Sequence, residues 1–245
     1  MKVVTTGRIH SWDLATGVDG PGTRFVLFTT GCPLRCLYCA NPDTWHMRDG
    51  RDATVDEVMA EIEKYRGFVT TAGGGVTITG GEPLLQPAFT AELLRRCKAA
   101  GLHTALDTSG FLGERATDGL LADTDLVLLD IKSFDIRTYR KLTGGELAPT
   151  LNFATRLDSL GTAVWIRYVL VPGWTDDPEA VSGLAGFVAG LGNVDRVDVL
   201  PFHKLGASKY EALGIPFPLR DNPVPGPALT ERVREQFREH GITAY

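Results

Sequence analysis

Three cysteines fall within eight residues, Cys32, Cys36 and Cys39. Their spacing, Cys-x3-Cys-x2-Cys, gathers three thiol ligands in one loop and supplies no fourth. An iron–sulfur cluster ordinarily takes four Cys ligands. Three leave one iron with an open position, and an open metal position is where chemistry happens. Two plainer readings stand beside this one: a zinc loop, for which His46 is the only nearby fourth ligand, and three unrelated thiols. The remaining cysteine, Cys97, lies in the helical pattern of residues 92–98 and reads as a small buried hydrophobe, not as a missing ligand.

Further polar groups follow short apolar runs. Gly80-Gly81-Glu82-Pro83 comes directly after Val76-Thr77-Ile78-Thr79. Glycines there let backbone approach a ligand closely, and with Glu82 the segment could hold an ammonium; the alternative is a Pro-containing turn that carries an acid. Asp107-Thr108 and Asp130 end two other runs. Two carboxylates facing one pocket repel unless they share a cation or a proton, and such hard oxygen ligands suit an alkali or alkaline-earth ion; solvated or capping acids are the alternative. Lys132, two residues beyond Asp130, shares its face if the strand persists and could meet a carboxylate or a ribose, or simply face solvent. His203, after Pro201-Phe202, is either a donor to a ligand or a structural loop histidine. Asp19 sits in a turn-rich stretch, Thr16 to Gly22, before the first strand; a hairpin turn explains its glycines, and a place near the rim would make Asp19 a substrate contact. Trp12, Trp45 and Trp174 read as packing or partner-surface residues.

The elements that must position these groups recur as an apolar run followed by a helical pattern. Strands are expected over 24–30, 75–79, 103–108, 126–131, 164–171 and 194–200. Helices are expected over 54–65, opened by a capping box at Thr54-Val55-Asp56-Glu57, and over 87–100, 113–121, 148–160, 178–191 and 230–240. Six βα units in series argue for parallel pairing through right-handed crossovers. An open doubly wound sheet and a barrel short of eight strands both fit. The polar or glycine-rich group at every strand end favours the partial barrel, whose active sites lie at the C-terminal strand ends. A single domain over 1–245 is expected, with an N-terminal extension at 1–23 and six βα units at 24–245.

The chain has 245 residues, 43% apolar and 22% charged, with net charge −5, which suits one large globular domain. No basic run appears, so nucleic acid is not an expected partner. No stretch approaches the roughly 20 apolar residues of a membrane span, and the N-terminus lacks the apolar region of a signal peptide. A cytoplasmic protein is expected, and clustered cysteines do not suggest a disulfide framework.

The Cys spacing, with aromatic Tyr38 just before the third Cys, resembles the radical S-adenosylmethionine (SAM) superfamily, and Gly80-Gly81-Glu82-Pro83 is similar to its motif for the SAM amino group. Nearly end to end the chain resembles the pyruvate formate-lyase activating enzymes, activases of glycyl radical enzymes within that superfamily. The matching segments are residues 7–11, 18–22, 35–39, 73–77, 106–108, 165–169 and 171–174. The resemblance implies an α/β fold, a partial (β/α)6 barrel, and a 4Fe–4S cluster on Cys32, Cys36 and Cys39. It implies SAM contacts from Tyr38, Ala40, Gly80, Gly81, Glu82, Asp130, Ile131, Lys132 and His203. It also implies a monovalent cation, sodium or potassium, at Asp107, Thr108, Asp130 and the Leu128 carbonyl. The implied reaction is reductive SAM cleavage and removal of a hydrogen atom from a backbone glycine of pyruvate formate-lyase, with a flavodoxin-like or ferredoxin-like reductant.

Three departures stand out. Ala40 replaces a frequent His, Ser109 replaces the Asn of Asp-Thr-Asn-Gly, and the proline-rich segment from Gly214 to Pro227 matches poorly. Activases of other glycyl radical enzymes are one alternative, but many carry an inserted ferredoxin-like Cys-rich segment, which Cys97 alone does not make. A non-enzymatic iron–sulfur electron-transfer protein is the other.

Overall fold

The computed structural model describes residues 4–245. In chain order the elements are β1 (Thr6–Thr16), β2 (Thr23–Thr29), β3 (Arg51–Thr54), α1 (Val55–Thr71), β4 (Gly75–Gly80), α2 (Pro87–Ala99), β5 (His103–Thr108), α3 (Asp118–Ala122), β6 (Leu126–Asp130), α4 (Ile136–Thr143), α5 (Ala148–Leu160), β7 (Val164–Leu170), α6 (Pro178–Ala189), β8 (Val194–Pro201), α7 (Ala207–Ala212) and α8 (Pro227–Glu239). The strand order is β3-β1-β2-β4-β5-β6-β7-β8. The six strands expected from sequence are all present as β2 and β4 to β8. Where pairings are resolved among them they are parallel, as short strand–helix–strand connections require.

The capping box forms as expected: the Thr54 hydroxyl accepts from the Glu57 amide at 3.1 Å, and the Glu57 carboxylate accepts from the Thr54 amide at 2.6 Å. Four elements, β1, β3, α4 and α7, escaped the sequence reading. β1 lies within what reads as an N-terminal extension, and it pairs antiparallel with both β2 and β3. Among its residues only Gly7 and Ile9 are buried, so it carries no apolar run. α4 is polar along its exposed face, and its signals are an Asp135 cap and a left-handed Gly144 stop. α7 is too short for a period to show. The single helix expected over 113–121 is instead a 3-10 turn at Gly113–Arg115 and then α3, because Ala116 is extended and the Thr117 hydroxyl starts a new cap.

The chain divides into two compact units. The first comprises residues up to Pro33, Thr44–Thr108 and Leu112–Leu128; the second comprises Leu34–Asp43, Ser109–Phe111 and Leu129–Tyr245. In the first, Phe25, Leu27, Ile62, Ile78, Leu93 and Leu106 are core residues with no exposed surface. Trp12 stacks on Phe25 at 5.0 Å, the packing role expected of it. Arg24 is also fully buried. Its guanidinium donates to the Thr77 hydroxyl (2.9 Å) and to the Val76 carbonyl (2.5 Å), and its Nη1 lies 2.9 Å from His103 Nδ1. In the second unit, residues 243–245 pair with β8 along its edge, through Val197 N to Thr243 O (2.9 Å) and Tyr245 N to Val197 O (3.0 Å), which closes a row of backbone groups that would otherwise invite another chain.

The Arg24–His103 contact makes stability pH-dependent. Burial, and then the Arg24 charge, hold the His103 imidazole below its ordinary value of 6.5. A depressed histidine contributes stability that is complete above the unfolded pKa and is lost as pH falls through the folded one. Urea denaturation at pH 7.5 and 5.5 should therefore show a larger loss on acidification for the wild type than for His103→Gln; equal losses would refute it.

Candidate active site

In the first unit a strap of Gly80, Gly81 and Glu82 leaves β4 and is bonded to the segment that leads into Cys32. The Gly81 amide donates to the Thr29 carbonyl (2.9 Å) and the Glu82 amide to the Gly31 carbonyl (2.8 Å). On its other side that segment is held by Gly31 N to Thr44 O (2.8 Å) and Cys32 N to Trp45 O (3.0 Å). The glycines are needed sterically. Gly31 and Gly80 have positive φ, 92° and 122°, and a Cβ on Gly81 would lie 2.3 Å from the Gly31 carbonyl oxygen.

Glu82 is 1% exposed. Its Oε1 accepts from the Leu84 amide (3.1 Å) and the Thr108 hydroxyl (2.7 Å). This places two of the expected residues, from the ends of β4 and β5, in direct contact. Asp107 next to them accepts from the Thr79 hydroxyl at 2.7 Å. Leu128 is buried in β6. Asp19 lies in the hairpin loop before β2, where its carbonyl accepts from the Thr77 hydroxyl at 2.6 Å. That loop approaches from the N-terminal ends of β2 and β4, whereas Glu82 and Thr108 stand at the C-terminal ends of their strands.

The second unit holds Cys36, Tyr38, Cys39 and Ala40. The C-terminus of α4 anchors this stretch by backbone bonds, Arg35 N to Thr143 O (2.7 Å) and Leu37 N to Leu142 O (2.8 Å), and Cys39 N closes a turn onto Cys36 O at 3.0 Å. Lys132 Nζ lies 2.9 Å from Asp130 Oδ2 and 5.8 Å from the Tyr38 ring centroid. β6 ends at Asp130, so the two residues do not share a strand face as expected, yet their side chains meet. Burial alone would lower the Lys132 ammonium, but Asp130, with Tyr38 and Cys36, raises it well above the ordinary lysine value. Burial pushes the Cys36 thiol up to about 12, offset only in part by Lys132. A bound cation would have to offset that burial to hold the thiol as thiolate. Ile131 is buried, its amide bonded to the Arg167 carbonyl at 3.2 Å. His203 is exposed, with Nδ1 accepting from the Leu205 amide at 3.3 Å. His46, the alternative zinc ligand, is exposed and lies in the first unit.

Whether these residues fit a cluster and a bound nucleoside can be asked of Tyr38. It is 8% exposed, and its hydroxyl is buried with no hydrogen-bond partner. Buried polar groups are rarely left so, and an orphan hydroxyl one residue before a cysteine is what a site built around a missing ligand leaves behind. The soft thiol donors of Cys36 and Cys39 beside it suit such a group by type, while among the described residues no three His, Cys, Asp or Glu side chains are gathered as a metal site. The sequence reading missed a further set around Ala40, made of Asn41, Asp43, Gly206 and Lys209. No local signal joins residues so far apart in the chain.

Residues 26–184 match the radical SAM superfamily. The chain is 43% identical over 237 residues to a pyruvate formate-lyase 1-activating enzyme of Escherichia coli (strain K12), covering 96% of each chain. It is 46% identical over 239 residues to a pyruvate formate-lyase-activating enzyme of Staphylococcus epidermidis, covering 95% of this chain and 94% of that one. Among solved structures, a domain of a pyruvate-formate lyase-activating enzyme from Bacteroides vulgatus superposes with TM-score 0.59 at 26% identity, over 70% of this chain and 98% of that one. Streptococcus suis SuiB bound to its precursor peptide SuiA superposes with TM-score 0.67 at 16% identity, over 89% of this chain and 46% of that one, a likeness of fold alone. These matches bear out the α/β partial-barrel fold expected from the sequence.

Proposed function

The chain belongs to the radical SAM superfamily and, within it, to the pyruvate formate-lyase activating enzymes, and from that premise we propose how its residues serve the reaction. It is a radical SAM activase, an oxidoreductase whose protein substrate is pyruvate formate-lyase. The observation that carries this reading is the strap bonded to the cysteine loop: Gly81 and Glu82 are joined by backbone hydrogen bonds to Thr29 and Gly31, immediately before Cys32.

Cys32, Cys36 and Cys39 would hold the 4Fe–4S cluster that the family implies. With an electron from an external reductant, cluster and SAM would supply the one-electron chemistry that removes a hydrogen atom from a glycine Cα. The strap's backbone and Glu82 receive the SAM ammonium. Lys132, held by Asp130, meets a carboxylate or ribose; the Tyr38 hydroxyl, Ala40, Gly80, Ile131 and His203 complete the contacts. Asp107, Thr108, Asp130 and the Leu128 carbonyl would hold a sodium or potassium ion, which their hard oxygens suit. The residues need not act as general acid or base. Their work is to orient SAM, exclude water and hold the glycine segment of the partner in reach, where geometry accounts for much of the rate. A flavodoxin-like or ferredoxin-like protein delivers the electron, and the protein acts in the cytoplasm. No helix among the described residues is long and apolar enough to cross a membrane.

The test is an anaerobic EPR spectrum of the reduced, cluster-loaded protein mixed with SAM and pyruvate formate-lyase from the same source, with a SAM-free control. A SAM-dependent glycyl radical doublet is expected. Deoxyadenosine without a doublet would keep the radical chemistry and discard this partner. Neither signal, from a sample with an intact cluster, would overturn the reading in favour of electron transfer.

A further inference from the structure

The stretch that follows the third cysteine is gripped by the short helix α7, more than 160 residues away in sequence. Lys209 Nζ donates to Asn41 Oδ1 at 2.8 Å and lies 3.0 Å from Asp43 Oδ2. One turn earlier, Gly206 sits so close to the loop that a Cβ there would be 2.9 Å from Ala40 Cα and 3.0 Å from the carbonyl oxygens of Ala40 and Cys39. Tyr210 is 1% exposed. The helix is itself fixed by rings: Tyr210 packs on Phe217 at 4.9 Å, and Phe217 on Phe202 at 6.3 Å.

We infer that α7 is a clamp on the cysteine loop and that Lys209 is a positioning residue, which fixes the backbone at Cys39 and Ala40 by holding Asn41 and Asp43 from the far side. The physical argument is one of freedom. On its N-terminal side the stretch is tied to α4 by two backbone bonds, at Arg35 and Leu37. Beyond Cys39, Lys209 makes an ion pair with Asp43 and a hydrogen bond to Asn41, two residues apart in the segment, and Gly206 removes the bulk that would keep helix and loop apart. Such charge-assisted bonds are roughly twice as strong as neutral ones. A cluster thiolate displaced by about 1 Å is enough to cost on the order of 100-fold in rate, so this remote lysine bears on the reaction without touching a reacting atom. The inference rests on the cluster reading for its consequence, but not for its structural content.

Hydrogen exchange on the metal-free protein tests the structural content. In Lys209→Met, the amides of residues 39–44 should exchange at least about tenfold faster while those of α5 keep their rates. Lys209→Arg, which keeps charge and reach, should restore most of the protection. Gly206→Ala, which pushes on the same backbone, should reproduce the loss without touching the ion pair. The loaded protein gives the second readout: Lys209→Met should release iron to a chelator faster, alter the EPR signal of the reduced cluster with SAM, and raise the KM for SAM more than it lowers kcat. Unchanged exchange at 39–44 in both Lys209→Met and Gly206→Ala would overturn the clamp. A wild-type protein that never loads a cluster would instead sink the functional reading, with the exchange result still deciding the clamp.

Discussion

Gly81→Ala should lower SAM cleavage by at least about 100-fold, an effect out of proportion to the single methyl added. The new Cβ would lie 2.3 Å from the Gly31 carbonyl oxygen, 2.8 Å from its carbon and 2.9 Å from the Thr44 oxygen. All three are backbone atoms, so no side chain can swing aside. The chain must open between Gly81 and Gly31, and it does so at the bonds from Glu82 N to Gly31 O and from Gly31 N to Thr44 O. Both the strap that carries Glu82 and the lead into Cys32 then shift. The stability cost should be ordinary for overpacking, about 1–3 kcal/mol. The loss of activity is larger because the strap and the cysteine loop must keep their relative position. Gly67→Ala is the control: a Cβ there meets nothing within 4 Å in the middle of α1, and it should be neutral or stabilising by up to about 1 kcal/mol. Deoxyadenosine yield with a chemical reductant, normalised to iron content, is the measurement. Wild-type yield from Gly81→Ala would mean that strap and cysteine loop are not coupled.

The largest effect on stability is expected at Arg24, where Arg24→Ala should cost about 3–5 kcal/mol. Burial drops the guanidinium to about 10, and it still carries its charge at neutral pH. The charges of Asp125 and Asp19 offset part of that burial, and Thr77, the Val76 carbonyl and His103 surround the group at 2.5–2.9 Å. Truncation leaves a buried carbonyl and an imidazole without their donor, as well as a void between β2 and β4. Arg24→Lys should recover little, since one ammonium cannot reproduce a planar fork that bonds three residues. Urea denaturation of the metal-free protein reads the effect, and a loss under 1 kcal/mol for Arg24→Ala would contradict this account. The two predictions separate cleanly, one striking catalysis with modest loss of fold and the other the fold itself.

How far the sequence reaches is clearest at the elements. β5 runs over the residues its apolar pattern predicts, and α5 likewise, because β5 carries a buried run and α5 buries Thr150, Phe153, Ala154 and Leu157 at helical spacing before a left-handed Gly161. α1 opens at its capping box but runs on to Thr71, past Tyr65, because buried Val69 draws another turn onto the core and Gly67 is tolerated within it. β1 and β3 were illegible. A strand at the margin of a sheet needs few buried residues, and its identity comes from the partner it pairs with. The expected site behaves the same way. The strand ends placed Glu82, Thr108, Asp130 and Lys132 as polar groups, but that Glu82 bonds Thr108 and Asp130 pairs with Lys132 was not legible from them.

The sequence by itself determined the ligand types, three thiols without a fourth, the glycines that allow close approach, and the family to which such spacing belongs. These are covalent facts, carried by side-chain chemistry and local backbone preference. Only the tertiary structure decided that Arg24 is a buried polar hub, that the Gly81 strap is bonded to Gly31, and that Lys209 grips Asn41 and Asp43. Each of these joins residues separated by 50 positions or more, and no local propensity encodes such a pairing. It exists because burying the apolar faces of strands and helices brings distant backbone and charge together, and those polar groups must then find partners where packing has left them.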